Sequence, residues 1–375
     1  MGNHAFLSAS SSARWTACPP SAKQCAEAED RGSPYAQQGS DAHSLCEHLL
    51  LDALGRESVD PVPDLTWYDA EMQEAAEGYR DFVMEQIEDA KKSCPDPLVC
   101  VEQVLDFSKW VPHGFGTADA LIMADGLLHV IDFKFGVGVM VAAEGNTQLS
   151  CYALGALDTF GSLYRAGRVK LSIYQPRRGN ADTWETSADS IFLWADTVLA
   201  PAARLAYDGG GEYHAGEHCQ FCKIKAVCRE RAAYSMELAK YDFADAPTLD
   251  AGEIADILPL ADSLAAWASD IKEYALRQAL AGVSFPGWKV VEGRSNRRYT
   301  SPETVASIVE GAGYDPYEKK LLGVTAMQKQ LGKKKFEELL GGYVEKPQGR
   351  PVLAPETDKR PLFNTAADDF KEETE

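Results

Sequence analysis

Gly116-Thr117-Ala118-Asp119-Ala120-Leu121-Ile122-Met123-Ala124-Asp125-Gly126-Leu127-Leu128-His129-Val130-Ile131-Asp132-Phe133-Lys134 is the stretch from which the fold is read. Asp125-Gly126 between two apolar runs predicts a two-residue β-hairpin with a type I′ turn, which needs positive φ at both central residues. With that loop Ala124 faces Leu127, and counting outward Asp119 faces Asp132 on one face of the sheet. Like charges opposed on neighbouring strands are destabilising, and strands built of Val, Ile, Leu and Phe have no structural need of them. Lys134 lies two residues past Asp132, so strand alternation puts its ammonium on the same face. Two carboxylates and a lysine so placed can hold Mg²⁺ or Mn²⁺ and orient a water beside a scissile phosphate. The bland alternative is a surface hairpin whose charged face points to water, and the apolar surroundings argue against it. Glu102, one strand earlier, is read as a solvated glutamate rather than a further ligand.

Outward from the hairpin, helical apolar spacing predicts helices over 36–54 and 71–92, the second with the stripe Met72, Ala75, Ala76, Tyr79, Phe82, Val83 and Ile87. Strands are expected at 98–107, 117–124 and 127–134, then a helix at 146–160 and a strand at 168–175. The order helix, three strands, helix, strand implies a mixed α/β core with a central sheet flanked by helices. A long amphipathic helix follows over 252–281, and two small ones over 301–340. The expected organisation is a main domain over 1–235, a helical accessory region over 236–346 and a disordered acidic tail over 347–375.

The chain of 375 residues carries a formal net charge of −20, which by itself slows approach to phosphate, although a local groove or a bound metal can reverse the field at one site. No apolar run approaches the ~20 residues that span a bilayer, so no membrane partner is expected. Met1-Gly2-Asn3-His4 does not open a secretory signal, so the cytoplasm is the expected compartment. Nine cysteines there are not expected to pair as disulfides. Cys25, Cys46, Cys94, Cys100 and Cys151 read as single buried thiols. Cys219, Cys222 and Cys228 form a compact C-x2-C-x5-C cluster, and three thiolates this close call for a fourth ligand. Cys18, followed by Pro19, is the best candidate, with His218 as a substitute. Four thiolates can hold a [4Fe–4S] cluster or zinc, and spacing alone does not choose.

Gly116-Thr-Ala-Asp119 followed by Ile131-Asp132-Phe133-Lys134 resembles the two central motifs of the PD-(D/E)XK nucleases. Gln148-Leu-Ser-Cys-Tyr152 resembles the Gln-x-x-x-Tyr signature of their RecB-like branch, and Gly39-Ser-Asp-Ala-His43 with Glu47 resembles that branch's helical histidine motif. The resemblance implies a restriction-endonuclease-like core. It also implies metal binding by His43, Asp119, Asp132 and the main-chain carbonyl of Phe133, with Lys134 positioning or activating the water. Gln148 and Tyr152 would contact the site or the DNA backbone. A far-upstream Cys-Pro with three later cysteines resembles the iron–sulfur staple of AddB-type helicase-nucleases and CRISPR-associated adaptation nucleases. That implies a structural [4Fe–4S] cluster on Cys18, Cys219, Cys222 and Cys228.

Trp288, Lys289, Arg294, Arg297, Arg298 and Tyr299 interleave aromatics and cations as single-strand binding surfaces do, and solvated surface is the competing reading. Arg177 and Arg178, closing the 168–175 strand, are further DNA-binding candidates. Across its whole length the chain resembles a phage and prophage family of recombination or replication nucleases. The expected function is a metal-dependent DNA exonuclease in a bacterial host cytoplasm, beside a phage single-strand binding or annealing protein. A non-catalytic DNA-binding scaffold and an RNA nuclease are the alternatives.

Overall fold

The computed structural model describes residues 5–29, 34–237, 251–292, 299–317 and 321–345. Five strands form one mixed sheet in chain order: β1 (Leu98–Asp106), β2 (Phe115–Ala124), β3 (Leu127–Phe133), β4 (Arg168–Gln175) and β5 (Asn180–Ser187). All neighbours are antiparallel except β3 and β4, which are parallel. The described α-helices are α1 (Ser12–Ala17), α2 (Ser21–Glu27), α3 (Pro34–Ala53), α4 (Ala70–Lys91), α5 (Thr147–Tyr164) and α6 (Ala188–Trp194). They continue as α7 (Ala200–Asp208), α8 (Arg229–Ser235), α9 (Ala251–Leu280), α10 (Pro302–Gly311), α11 (Val324–Leu331) and α12 (Lys333–Leu340). A parallel pair needs a crossover connection, and α5 supplies it.

Strand alternation sends the apolar side chains of the sheet into two separate cores. Leu121, Met123, Leu128, Val130, Leu171 and Ile173 pack beneath α5 with Leu149, Ala153 and Leu154. Ala120, Ile122, Ile131 and Phe133 pack on the other side against Leu45 and Leu50 of α3 and Met72, Tyr79, Val83 and Ile87 of α4. Close approach of α5 to β1 depends on Gly155, where an added Cβ would come 3.1 Å from the Asp106 carbonyl oxygen.

The hairpin keeps its predicted register, with Ala124 opposite Leu127 and Ala120 opposite Ile131. Its turn differs from the type I′ expectation, because Gly126 alone of the two is left-handed, at φ 77°. Tertiary contacts replace the intrinsic turn preference. The Gly126 amide donates to the Tyr164 carbonyl at 2.9 Å and its carbonyl accepts from the Arg168 amide at 3.0 Å. The sheet also has a fifth strand that the apolar pattern does not announce. β5 is built of Asn, Asp, Thr, Glu and Ser around one Trp, and pairs with β4 along its whole length.

Three further features arrange the surroundings of the sheet. Trp15 of α1 is fully buried, its indole donating to the Ser8 carbonyl at 3.1 Å, and the Ser12 and Thr147 hydroxyls meet at 2.6 Å. The N-terminal segment is thereby fixed to the start of α5. Asp270 of α9 pairs with Lys225 at 2.9 Å and with Arg231. Contacts divide the chain into two units between Val291 and Glu292, with α9 in the first. In the second unit three short helices, α10 to α12, stand where two were expected. Among the described residues no helix is long and apolar enough to cross a membrane.

Trp15→Ala removes a fully buried indole, and such truncations cost about 3–5 kcal/mol. Chemical denaturation followed by far-ultraviolet circular dichroism should show a loss of that order. A loss below about 1 kcal/mol would mean that the N-terminal segment is only loosely attached.

Candidate functional site

The β-ladder is interrupted where the acidic residues lie. β1 and β2 pair Val101 with Ala120 and Gln103 with Ala118, skipping Glu102 and Asp119 between them. Glu102 has φ 48° there, a conformation that costs a non-glycine residue roughly 1–3 kcal/mol and collects at functional sites. The β2–β3 ladder ends at Ala120 and Ile131, one step before Asp119 and Asp132. The facing of β2 also changes at this point, since Ala118 belongs to the core beneath α5 and Ala120 to the core beneath α3 and α4. Freed from regular pairing, the Asp119 carboxylate accepts the Phe133 amide at 2.7 Å through Oδ2. Its Oδ1 stands 3.3 Å from Nδ1 of His43, which α3 brings over the sheet edge.

His43, Glu102 and Asp119 offer ligand atoms that all lie within 4.8 Å of one another. No other three His, Cys, Asp or Glu side chains do so among the described residues. Glu102 is therefore not the solvated glutamate expected of it. Asp132 is not in that group, and the carboxylate that joins Asp119 there is Glu102 of β1.

Asp132 and Lys134 form the other half of the site. Asp132 is 1% exposed, and its Oδ1 accepts from Gln148 Nε2 at 3.1 Å. Its Oδ2 is 2.9 Å from Lys134 Nζ but lacks hydrogen-bond geometry and has no other partner. Gln148 Oε1 accepts from Lys134 Nζ at 3.0 Å, and Gln148 Nε2 also donates to the Tyr152 hydroxyl at 3.1 Å. One amide on α5 thus ties lysine, aspartate and tyrosine together. Tyr152 is buried against Gly116, where an added Cβ would lie 2.8 Å from its ring, which accounts for the glycine of the Gly116-Thr-Ala-Asp119 stretch. Phe133, expected to offer its carbonyl, is held by its amide to Asp119 and by its ring against His43 and Tyr79 at centroid distances of 5.4 and 5.2 Å.

Burial and mutual charge decide the protonation of this cluster. Burial by itself disfavours the His43 imidazolium, but Asp119's charge and hydrogen bond outweigh it and raise the group to about 9. Burial, then the neighbouring charge of Asp119, lifts Glu102 to about 7. Burial opposes ionisation of Asp119, yet His43 and the Phe133 amide hold its carboxyl below the usual range. Asp132 moves the other way, raised by burial against the pull of Lys134. Burial opposes the Lys134 cation, and the two aspartates reverse that and keep it protonated.

The other described candidates make contacts of their own. Arg177 pairs with Glu71 at 3.0 Å and lies over the Phe135 ring at 4.7 Å, while Arg178 is exposed. Trp288 is exposed, and Arg294, Arg297 and Arg298 lie outside the described residues. Cys18, Cys219, Cys222 and Cys228 line one cavity with His214 and His218. No three of these sulfurs meet the 4.8 Å spacing. Cys25, read from sequence as a separate thiol, has its sulfur 3.6 Å from that of Cys222 and accepts the Lys223 amide at 3.4 Å. The contact spans nearly 200 positions of chain, and the spacing of the later cysteines carries no sign of it.

The chain belongs to the DUF2800 family, described as a protein of unknown function, whose profile matches residues 4–361. A solved structure titled "Crystal structure of SSO0001" aligns at 17% identity over 51% of this chain and 97% of that chain. Its TM-score is 0.22, too low for the likeness to bear on the fold.

The raised groups set a direction for stability in chelator. His43 is raised from 6.5 to about 9, so its contribution is complete below pH 6.5 and is lost as pH climbs through 9. Glu102, raised from 4.5 to about 7, must ionise at a cost in the fold, so stability falls again between those values. Thermal melts in EDTA should therefore decline from pH 5 to pH 9.5, and Asp119→Asn should flatten the upper half of that decline. A wild-type slope retained in Asp119→Asn would overturn the assignment to the His43–Asp119 pair.

Proposed function

We propose that this DUF2800 member is a metal-dependent nuclease of the PD-(D/E)XK type, in its RecB-like branch, that hydrolyses phosphodiester bonds in DNA. The observation that carries the reading is the meeting of His43, Glu102, Asp119, Asp132, Lys134 and Gln148, drawn from α3, β1, β2, β3 and α5, at one interrupted edge of the sheet. Segments this far apart in sequence converge here with charges that are costly to bury unless paired or ligated. Three acids, Glu102, Asp119 and Asp132, gather there around His43 and Lys134.

The donor set fits a hard divalent cation. Carboxylate oxygens with one imidazole suit Mg²⁺ or Mn²⁺, and Asp132 Oδ2 is a buried oxygen that meets only the Lys134 ammonium, at 2.9 Å. Asp119, Glu102 and His43 would hold the ion with Asp132. Such an ion supplies Lewis acidity toward phosphate and water. The protein's own groups do the rest. Lys134 keeps its proton at Nζ, beside the acids, and can bind an oxygen of the scissile phosphate as its negative charge grows. Gln148 fixes the rotamer of Lys134 and Asp132 at once. Tyr152, packed against Gly116, fixes Gln148 in turn. His43 must give up its proton before its nitrogen can act as a ligand.

A second centre accompanies the first on this reading. Cys18, Cys219, Cys222 and Cys228 would hold a [4Fe–4S] cluster that ties the N-terminal segment to the chain after the nuclease core, and the four thiols lining one cavity support a shared ligand. Work in phage recombination or replication, beside a single-strand binding or annealing protein, is the biological setting we infer.

Asp119→Ala and Lys134→Ala should each lower degradation of labelled linear DNA in Mn²⁺ by a hundredfold or more, a magnitude of roughly 3 kcal/mol in the transition state. Their circular dichroism should match the parent's. Undiminished cleavage by either variant would sink the proposal, and equal cleavage of RNA would transfer it to the broader substrate.

Anaerobic purification should give a brown protein with about four iron and four sulfide per chain, and Cys18→Ala should lose both. A colourless protein containing zinc would refute the cluster while leaving the nuclease assignment standing.

A further inference from the structure

We propose that Cys25 and Cys222 are a reversible disulfide pair: peroxide joins the two sulfurs, and the bond withdraws Cys222 from the other thiols of its cavity. The pairing goes beyond the nuclease reading and does not depend on it. Only its consequence, the loss of a ligand, rests on the proposed [4Fe–4S] centre.

The two sulfurs stand 3.6 Å apart, in contact but well beyond the ~2.05 Å of a disulfide bond. The resting pair is therefore reduced. Both thiols are buried, at 5% and 8% exposure. Their backbones are anchored independently. Cys25 lies in the last turn of α2, a helix fixed by Ala22 in the core beneath α5 and by the Lys23 ammonium on the Asp208 carbonyl at 2.8 Å. Cys222 sits in a tight turn between α7 and α8. Its amide donates to the Cys219 carbonyl at 3.0 Å, and its carbonyl accepts the Lys225 amide at 3.1 Å. What remains to be closed is the gap between the sulfurs, by rotation about the Cα–Cβ bonds. Cys222 has a nearer neighbour in sequence, Cys219, but that sulfur has the His218 ring beside it, with Nε2 at 3.8 Å. The Lys223 amide donates to the Cys25 sulfur at 3.4 Å, which orients it as the attacking group. Cys222 is the member of the pair that lines the thiol cavity, so it is the sulfur that peroxide meets.

The atoms and electrons balance in two steps. Hydrogen peroxide oxidises the Cys222 thiol to a sulfenic acid and is itself reduced, releasing one water. The Cys25 sulfur then attacks that of Cys222, the S–O bond breaks, and the hydroxyl leaves with the Cys25 proton as a second water. Together the two sulfurs supply the two electrons that peroxide takes. A thiol reductant reverses the bond by exchange. While it lasts, the bond ties α2 to the stretch between α7 and α8, and three cysteines of the cavity set are left without Cys222.

The test uses the full chain, stripped of metal with a chelator and treated with hydrogen peroxide. Free thiols are blocked with N-ethylmaleimide, and the chain is digested without reduction and mapped by mass spectrometry. A peptide pair joined through Cys25 and Cys222 should be the principal cross-link, and dithiothreitol should remove it. Cys25→Ser should lose that cross-link. The oxidised parent should fail to take up iron and sulfide until it is reduced again, whereas reduced Cys25→Ser should take them up as the reduced parent does. Absence of the Cys25–Cys222 pair, a larger yield of Cys219–Cys222, or recovery of both thiols as sulfinic or sulfonic acids would overturn the proposal. Full iron uptake by the cross-linked chain would overturn the withdrawal of Cys222. Mapping decides the disulfide even where the reduced parent takes up no iron, a result that ends the cluster reading alone.

Discussion

The carboxylate of Asp119, inside the protein at the broken edge of the ladder, is the constraint from which the site's geometry follows. A buried carboxylate is costly unless charge and hydrogen bonds surround it. The Phe133 amide satisfies one oxygen and the His43 ring the other. The first contact is available only because the β2–β3 pairing stops at Ala120, and the second only because α3 crosses above that point. The left-handed φ of Glu102 belongs to the same break, since a regular strand there would restore the pairing that Asp119 abandons. Packing then locks the arrangement. Phe133, whose amide serves Asp119, carries its ring into the core beneath α3 and α4, so moving the acid means disturbing that core.

Local patterns made much of this legible and long-range geometry concealed the rest. The Asp125-Gly126 turn set the β2–β3 register even though its backbone is not the type I′ that the dipeptide favours, because register depends on loop length and alternation more than on turn type. Gln148 and Tyr152 stood out through helical spacing joined to a resemblance. Glu102 did not, because the loop between β1 and β2 hides which residue of β1 meets Asp119. Strand β5 escaped notice for a different reason. Its Asn, Asp, Thr and Glu side chains bury little, and it is held by the β4 backbone and by the Ser172–Thr183 hydroxyl contact at 2.8 Å.

A similar contrast governs the N-terminal segment. Closing a loop of about 200 residues costs conformational entropy that grows only slowly with length, so a few well-buried contacts suffice. Trp15 supplies the burial, while Arg14 holds the turn by donating to the Ser21 carbonyl at 2.8 Å. Lys23 reaches the Asp208 carbonyl at 2.8 Å. These contacts bring Cys18 to the cavity that it lines with Cys219, Cys222 and Cys228.

The acidity of the chain is less at odds with a polyanionic substrate than the net charge suggests. Near neutral pH the site sets the cations of His43 and Lys134 beside the Asp119 carboxylate, with Glu102 about half protonated and Asp132 pushed towards its neutral form by burial. Protons therefore balance the acids when no cation is bound. On the proposed reading, a divalent ion entering among His43, Glu102 and Asp119 would displace the imidazolium proton and whatever proton Glu102 carries, which offsets much of the positive charge it brings. If the site is a nuclease centre as proposed, approach of a phosphodiester would depend on the charge at that point rather than on the surface as a whole.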